Sequence, residues 1–178
     1  MSNRTQTDGK HLTHPIFTIE PRSTSHAEEL FPVLSDPHIY EFLDEDPPAS
    51  IAALRERLAR SESRRSPDGS EHWLNWVVRD EVGAVAGQIQ TTVFPDATAN
   101  VAYVFARSHW GRGIAFSAVE RMLQTVREAF VVATFYVVFE HENHRSKRLA
   151  ARLGFEAASL EDAANKKLSE TEIMMSRS

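Results

Sequence analysis

The run VVATFYVVFE, residues 131–140, is almost wholly apolar and rich in β-branched and aromatic side chains. A strand with one wet face alternates polar and apolar residues, whereas a strand covered on both faces does not. The run is therefore read as a strand buried on both sides, in a sheet that carries helices on its faces. Immediately before it, residues from about 114 to 129 form an amphipathic helix with Ala118, Met122, Leu123 and Val126 toward the core. Before that helix, NVAYVFA (100–106) reads as another strand, and the joint between the two is HWGRG (109–113).

The rest of the chain is arranged around this centre. IFTIEP (16–21) alternates as a short strand does. Ser25 with Glu28 has the spacing of a capping box, followed by Leu30, Phe31 and Leu34 as a helical stripe that Pro32 is expected to kink or shorten. A helical turn is expected at Ile39–Leu43, and a helix carrying Ile51, Leu54 and Leu58 starts at Ser50 as N-cap. HWLNWVVRD (72–80) and AVAGQIQTTVF (84–94) read as strands joined by a hairpin around Gly83, and the three middle strands form one antiparallel meander. NHRSKRLAARLGF (143–155) is a short helix stopped by Gly154, EDAANKKLSE (161–170) a polar loop or frayed helix, and TEIMMSR (171–177) a final strand. The expected fold is α/β (α+β): a mixed, mostly antiparallel sheet of six or seven strands with helices on both faces. Residues 1–14 read as a flexible arm and 15–178 as a single domain.

Composition narrows the function classes. A net charge of −5 over 178 residues disfavours non-specific nucleic-acid binding, although a local basic pocket is compatible with it. With no cysteine there is no disulfide, thiolate metal site or cysteine nucleophile. No apolar run is long enough to span a bilayer and the first residues lack a signal-peptide core, so a cytoplasmic protein is expected. His141 and His144 lack a third ligand at recognisable spacing, so no metal is expected.

Gly111 and Gly113 flank Arg112 where the strand hands over to the helix. This is either a tight turn or a cradle for phosphate, because the first N–H groups of a helix have no internal partner and carry partial positive charge. A P-loop is excluded, since Ile114 and Ala115 stand where Lys and Ser/Thr belong. A dinucleotide fingerprint is excluded too, for want of a third glycine and of an opening βαβ unit.

WGRGIA (110–115) resembles the acyl-CoA pyrophosphate loop of the GNAT N-acetyltransferase superfamily, Gln/Arg-x-x-Gly-x-Gly/Ala. Gly113 and Ala115 match the last two fixed positions, and Trp110 stands at the first. ENHRSKRLAARLGF is similar to the Asn-x-x-Ser…Leu-Gly-Phe helix of the ribosomal-protein-alanine acetyltransferase-like branch, matched by Asn143, Ser146, Leu153, Gly154 and Phe155. LSDPHIYEFL and WLNWVV resemble the N-terminal part of that branch, so the likeness runs from about 16 to 175.

The resemblance implies acetyl-CoA as cosubstrate, no metal, and direct transfer of the acetyl group to a primary amine, either a protein N-terminus or a small amine. It implies a gap between two splayed parallel strands, here NVAYVFA and FYVVFE. The pantetheine arm would pair with Val104, Phe105 and Ala106, the pyrophosphate would rest on Gly111, Arg112, Gly113, Ile114 and Ala115, and an N–H near Val104 or Phe105 would polarise the thioester carbonyl. Asn143 and Ser146 would touch the cofactor, with Ser146 also the candidate acid. The tyrosine acid of some family members is replaced by Ala150, and Asn100 stands where the branch often has Glu. Glu140, Tyr103, His141 and Glu142 are the substitutes for a base, and a water chain is the alternative. A homodimer is left open, and neither nucleic acid nor membrane is an expected partner. A CoA-sensing or interaction module on the same fold is the competing reading.

Two features stay open between a structural and a functional role. By parity Trp73 and Trp76 lie on opposite faces of a strand, as core residues or with one at an acceptor pocket. The acidic run Asp44–Glu45–Asp46 is either a solvated loop or an acceptor-site wall that attracts a cationic amine.

Overall fold

The computed structural model describes residues 15–43, 45–166 and 168–178; the expected arm over 1–14 lies outside them. Seven strands form one sheet: β1 (Thr18–Pro21), β2 (His72–Arg79), β3 (Val85–Val93), β4 (Thr98–Phe105), β5 (Thr134–Glu140), β6 (Glu156–Ala157) and β7 (Glu172–Arg177). Their order is β1-β2-β3-β4-β5-β7-β6. Every neighbouring pair is antiparallel except β4–β5, so the expected mixed sheet is present.

Helices cover both faces. On one, α1 (Ala27–Leu34) and α2 (Ile51–Ala59) bury Leu30, Leu34, Leu54 and Leu58 over Val77. On the other, α3 (Ile114–Ala129) and α4 (His144–Arg152) enclose the larger core with Ile89, Val101, Phe105, Phe135 and Phe139. A short α5 (Leu160–Asn165) precedes β7. No helix among the described residues is long and apolar enough to cross a membrane.

Local chemistry sets most element ends. Ser50 Oγ accepts from the Ala53 N–H at 3.1 Å and starts α2 as expected. Gly83 and Gly154 take φ of 84° and 80° at the ends they punctuate. Two boundaries differ from the sequence reading. The first helical segment opens with a 3₁₀ turn at Thr24–His26 behind Ser23, whose N–H donates to His26 Nδ1 at 3.1 Å, and Pro32 sits inside α1. β5 starts only at Thr134, and Val131 is exposed, because the chain must first leave α3 and turn under the sheet. Within β5 one face is buried at Phe135, Val137 and Phe139, while the other is buried at Tyr136 and only half-buried at Val138, in the cleft wall.

Candidate functional site

The parallel pair opens into a cleft. β4 and β5 are in register only from Thr98↔Thr134 to Val101↔Val137. Beyond that, β4 stays with β3 as far as Gly87↔Phe105, and β5 stays with β7 as far as Glu140↔Glu172. Each strand follows its outer partner, so the inner edges part. Gly87 permits this on the β4 side: a Cβ there would meet the Val104 carbonyl oxygen at 2.3 Å.

Ladder parity decides which backbone groups face the gap. Phe94 N–H donates to Thr98 O and Ala106 N–H donates to Ala86 O, both at 2.9 Å. These bonds bracket the β3–β4 ladder with the same phase, so even-numbered residues of β4 direct their N–H and C=O toward β3. Odd-numbered residues direct theirs toward β5, as Ala97 does in accepting from Ala133 N–H at 2.7 Å. Past Val101 no strand pairs with that edge, which leaves the amides of Tyr103 and Phe105 turned into the cleft. Of the three expected backbone partners Val104, Phe105 and Ala106, only Phe105 presents its amide to the gap. Val104 contributes a side-chain wall, and the Ala106 N–H is already spent on β3.

The glycine turn lies at the mouth. Gly111 and Gly113 take φ of 75° and 80°, and Gly113 is the N-cap of α3. The first amide in the turn with an acceptor is that of Ser117, which donates to Gly113 O at 3.1 Å. Among the described residues the N–H groups of 111–116 donate to no protein acceptor. The turn is thus a run of free donors at the positive end of a helix of 16 residues. Arg112 points away, toward Glu81 at 3.9 Å, and the Ile114 side chain is buried in the core; each can contribute its amide.

The cleft between these parts has a volume of about 420 Å³. Its walls include Val101–Phe105, Val137–Phe139, Gly111, Gly113, Ala115, Asn143 and Ser146. Asn143 Oδ1 caps α4 by accepting from the Ser146 N–H at 3.1 Å, so its amide oxygen is used within the protein. Tyr103 Oη donates to the Ser146 carbonyl at 3.3 Å, and burial pushes the phenol up to about 12, which keeps it protonated at neutral pH. Glu140 is not part of the lining; it sits at the end of β5 opposite Glu172. His141 and His144 are exposed, and among the described residues no cluster of three or more His, Cys, Asp or Glu could hold a metal.

Several walls have no counterpart in the sequence reading. Arg145, Arg148 and Arg152 recur at spacings of three and four on α4, and all three line the cleft. That spacing marks one helix face and was the available signal. Arg145 stacks on Trp110, its guanidinium carbon 4.0 Å from the ring centroid, and also faces Glu41 at 3.6 Å. Arg152 lies over Phe116 at 5.0 Å. Ile39, Phe42 and Leu43 close the opposite side. Among the described residues the lining holds three arginines and no carboxylate. His109, also in the lining, is held by Asp80 at 3.0 Å, and that hydrogen bond draws the Asp80 carboxyl below its ordinary range. Of the two tryptophans, Trp76 is core and Trp73 is half-buried, its indole donating to Glu71 at 2.7 Å.

Free helix-start amides, two strand amides facing an open edge and three arginines together suit a long ligand with phosphate at one end and an amide-bearing arm at the other. A model described as an acetyltransferase (GNAT) domain matches residues 17–156. Among solved structures, the ribosomal L7/L12 α-N-protein acetyltransferase RimL in complex with coenzyme A is 16% identical, with 90% of this chain and 93% of that chain covered and a TM-score of 0.74. The ribosomal-protein-S5-alanine acetyltransferase from Vibrio fischeri is 18% identical over 94% of both chains, at 0.70. The spermidine N-acetyltransferase from Vibrio cholerae, in complex with CoA and spermine, is 17% identical over 90% of this chain and 92% of that one, at 0.71. No curated protein matches the chain by sequence.

Proposed function

The chain belongs to the acetyltransferase (GNAT) family, and from that premise we propose that it moves an acetyl group directly from acetyl-CoA to a primary amine, with the cosubstrate held in the cleft between β4 and β5. The observation that carries this reading is the run of unpartnered amides from 111 to 116 beside a splayed strand edge. These amides are fixed donors that lose no conformational freedom when a diphosphate arrives. Arg145, Arg148 and Arg152 add charge along the same wall.

Bound acetyl-CoA supplies a thioester carbon that an amine attacks, with CoA thiolate leaving. The chain's own part is placement and charge control. The Tyr103 and Phe105 backbone groups pair with the pantetheine amides, as an added strand would. The Phe105 N–H, at the open end, is the donor that polarises the thioester carbonyl. Ser146, in the first turn of α4 and half-buried in the wall, is the proton source for the leaving sulfur. Tyr103 positions Ser146 through the carbonyl it holds and stays a neutral phenol. Among the described residues no carboxylate lines the cleft, and the amine proton leaves through water.

The test combines calorimetry with coenzyme A and release of free thiol from acetyl-CoA against a panel of amines and peptide N-termini. Binding with turnover of at least one acceptor is expected. Ser146→Ala is expected to lower kcat by about 10²-fold, at the low end for general acid catalysis, with CoA affinity unchanged. Absence of both binding and turnover sinks the proposal, and an unchanged kcat in Ser146→Ala removes the serine from its role.

A further inference from the structure

The arginine row on α4 runs alongside the glycine turn. Arg145, Arg148 and Arg152 all line the cleft. Helix rises 1.5 Å per residue, so the row from Arg145 to Arg152 is about 10 Å long. Each end is joined to the turn through an aromatic ring. At one end the Arg145 guanidinium carbon lies 4.0 Å from the centroid of Trp110, just before the first glycine. At the other, the Arg152 guanidinium carbon lies 5.0 Å from the centroid of Phe116. Phe116 is the third residue of α3 and itself lines the cleft. Arg148 stands one helical turn before Arg152, on the same face.

The direction of the row matters. Its first turn holds Ser146, whose carbonyl accepts from Tyr103 Oη at 3.3 Å, so the start of α4 is the thioester end of the cleft. Arg148 and Arg152 lie progressively farther from it, past the turn amides and toward α3. Coenzyme A presents two kinds of phosphate along such a path. The diphosphate comes first and suits the turn, whose amides are neutral donors spaced along one backbone. The phosphomonoester on the ribose 3′ oxygen comes later. It carries nearly two charges above a second pKa of about 6, with three terminal oxygens. That group suits guanidinium forks, which supply full charge and parallel N–H···O bonds. Two carboxylates beside the row have partners of their own. Glu41 faces Arg145 at 3.6 Å. Glu120, one turn along α3 from Phe116, accepts from Arg177 at 2.7 and 3.2 Å. Neither pair includes Arg148 or Arg152.

We infer that Arg148 and Arg152 form a phosphomonoester subsite that takes the 3′-phosphate of coenzyme A, so that this chain selects acetyl-CoA over thioesters of the same arm that lack that group. The inference rests on the transferase reading above and names which donors that site accepts. Arg145, held between Trp110 and Glu41, belongs to the mouth of the cleft and not to this subsite. The Phe116 ring fixes the Arg152 end of the pair against α3, as a cation–π contact does.

Two ligands that differ only in this phosphate test it. Titration calorimetry measures the affinity of the full chain for coenzyme A and for 3′-dephospho-CoA. The wild-type protein is expected to prefer coenzyme A by about tenfold or more, the range of a charge-assisted hydrogen bond. In Arg148→Gln and in Arg152→Gln that ratio is expected to fall, and in the double variant to approach one. The affinity for 3′-dephospho-CoA is expected to stay at the wild-type value throughout, which a merely structural role of the arginines does not allow. A wild-type ratio near one overturns the inference and leaves the transferase reading standing. Variants that weaken both ligands alike assign the arginines to the diphosphate, or to the fold if the melting temperature drops with them, and also overturn it. Where Arg152→Gln does not fold, Arg152→Lys keeps the charge without the fork. It and Arg148→Gln are then each expected to lower the ratio, and an unchanged ratio in either counts against the inference. A wild-type protein that binds neither ligand and turns over no acceptor brings down both readings.

Discussion

Trp110 donates its indole Nε1–H to the backbone carbonyl of Phe105 at 2.9 Å. The bond ties the start of the glycine turn to the last residue of β4. It occupies an edge carbonyl that no strand pairs, and it fixes the distance between the free turn amides and the Phe105 amide. The same indole carries Arg145 on one face. In Trp110→Phe the plate persists and the tie is lost. A hydrogen bond is worth about 1 kcal/mol net, so the KM for acetyl-CoA is expected to rise by about fivefold with a nearly unchanged melting temperature. An unaltered KM would show that the turn holds its geometry without the bond.

Gly87 is the residue behind the open edge. A Cβ there would lie 2.3 Å from the Val104 carbonyl oxygen and 2.8 Å from Phe105 Cα, both backbone atoms that cannot swing aside. Gly87→Ala is expected to cost about 1–3 kcal/mol, seen as a melting temperature lower by about 2–10 °C. Weaker binding of coenzyme A is expected with it, because the end of β4 must shift. A variant as stable as the wild type would show that β4 is not held by close approach at this point.

The pH dependence of turnover separates an enzymic base from solvent. Among the described residues the cleft lining has no carboxylate, and burial pushes the Tyr103 phenol up to about 12. Activity is therefore expected to rise with pH and level off at the amine pKa of whichever acceptor is used, so that changing the acceptor moves the midpoint. A midpoint that stays fixed near pH 6–7 for acceptors of different basicity would identify a base on the protein, in the usual range for a histidine.

Arg79 joins β2 to the start of the chain. Its Nε donates to Glu20 at 2.5 Å, and its two terminal nitrogens donate to Glu29 at 2.6 and 3.1 Å. These bonds hold both carboxyls below their ordinary 4.5. A carboxyl depressed in the folded state binds fewer protons there than in the unfolded chain, so its stabilising effect is present above 4.5 and is lost as pH falls through the folded value. In Arg79→Met the melting temperature at neutral pH is expected to be lower, and its decline below pH 4.5 shallower, than in the wild type. Parallel acid profiles for the two proteins would count against the pairing. The groups are partly exposed, so the difference is expected to shrink in high salt.

What the sequence determined is what neighbours along the chain determine. The α3 boundaries, the Ser50 cap, the glycine-bearing turn and the apolar β5 strand follow from periodicity, capping and backbone freedom, all of which act over a few residues. The run of donors in the glycine turn was legible for the same reason, since they are successive amides at a helix start, while its reading as a cofactor loop came from the resemblance. What lies across the sheet was decided by tertiary structure alone. Whether Val104 or Phe105 turns its amide into the gap depends on the phase of a ladder whose partner is another strand. Asn143 was legible as a site residue, yet its Oδ1 serves the α4 cap. Glu140 was a candidate base until β5 placed it against β7, clear of the cleft lining. Arg22 carries no signal of its own along the chain, and only β1 lying beside β2 brings it to Gln88, sixty-six positions away. Burial and pairing at that range come from the packing of the whole sheet, to which no short stretch of sequence has access.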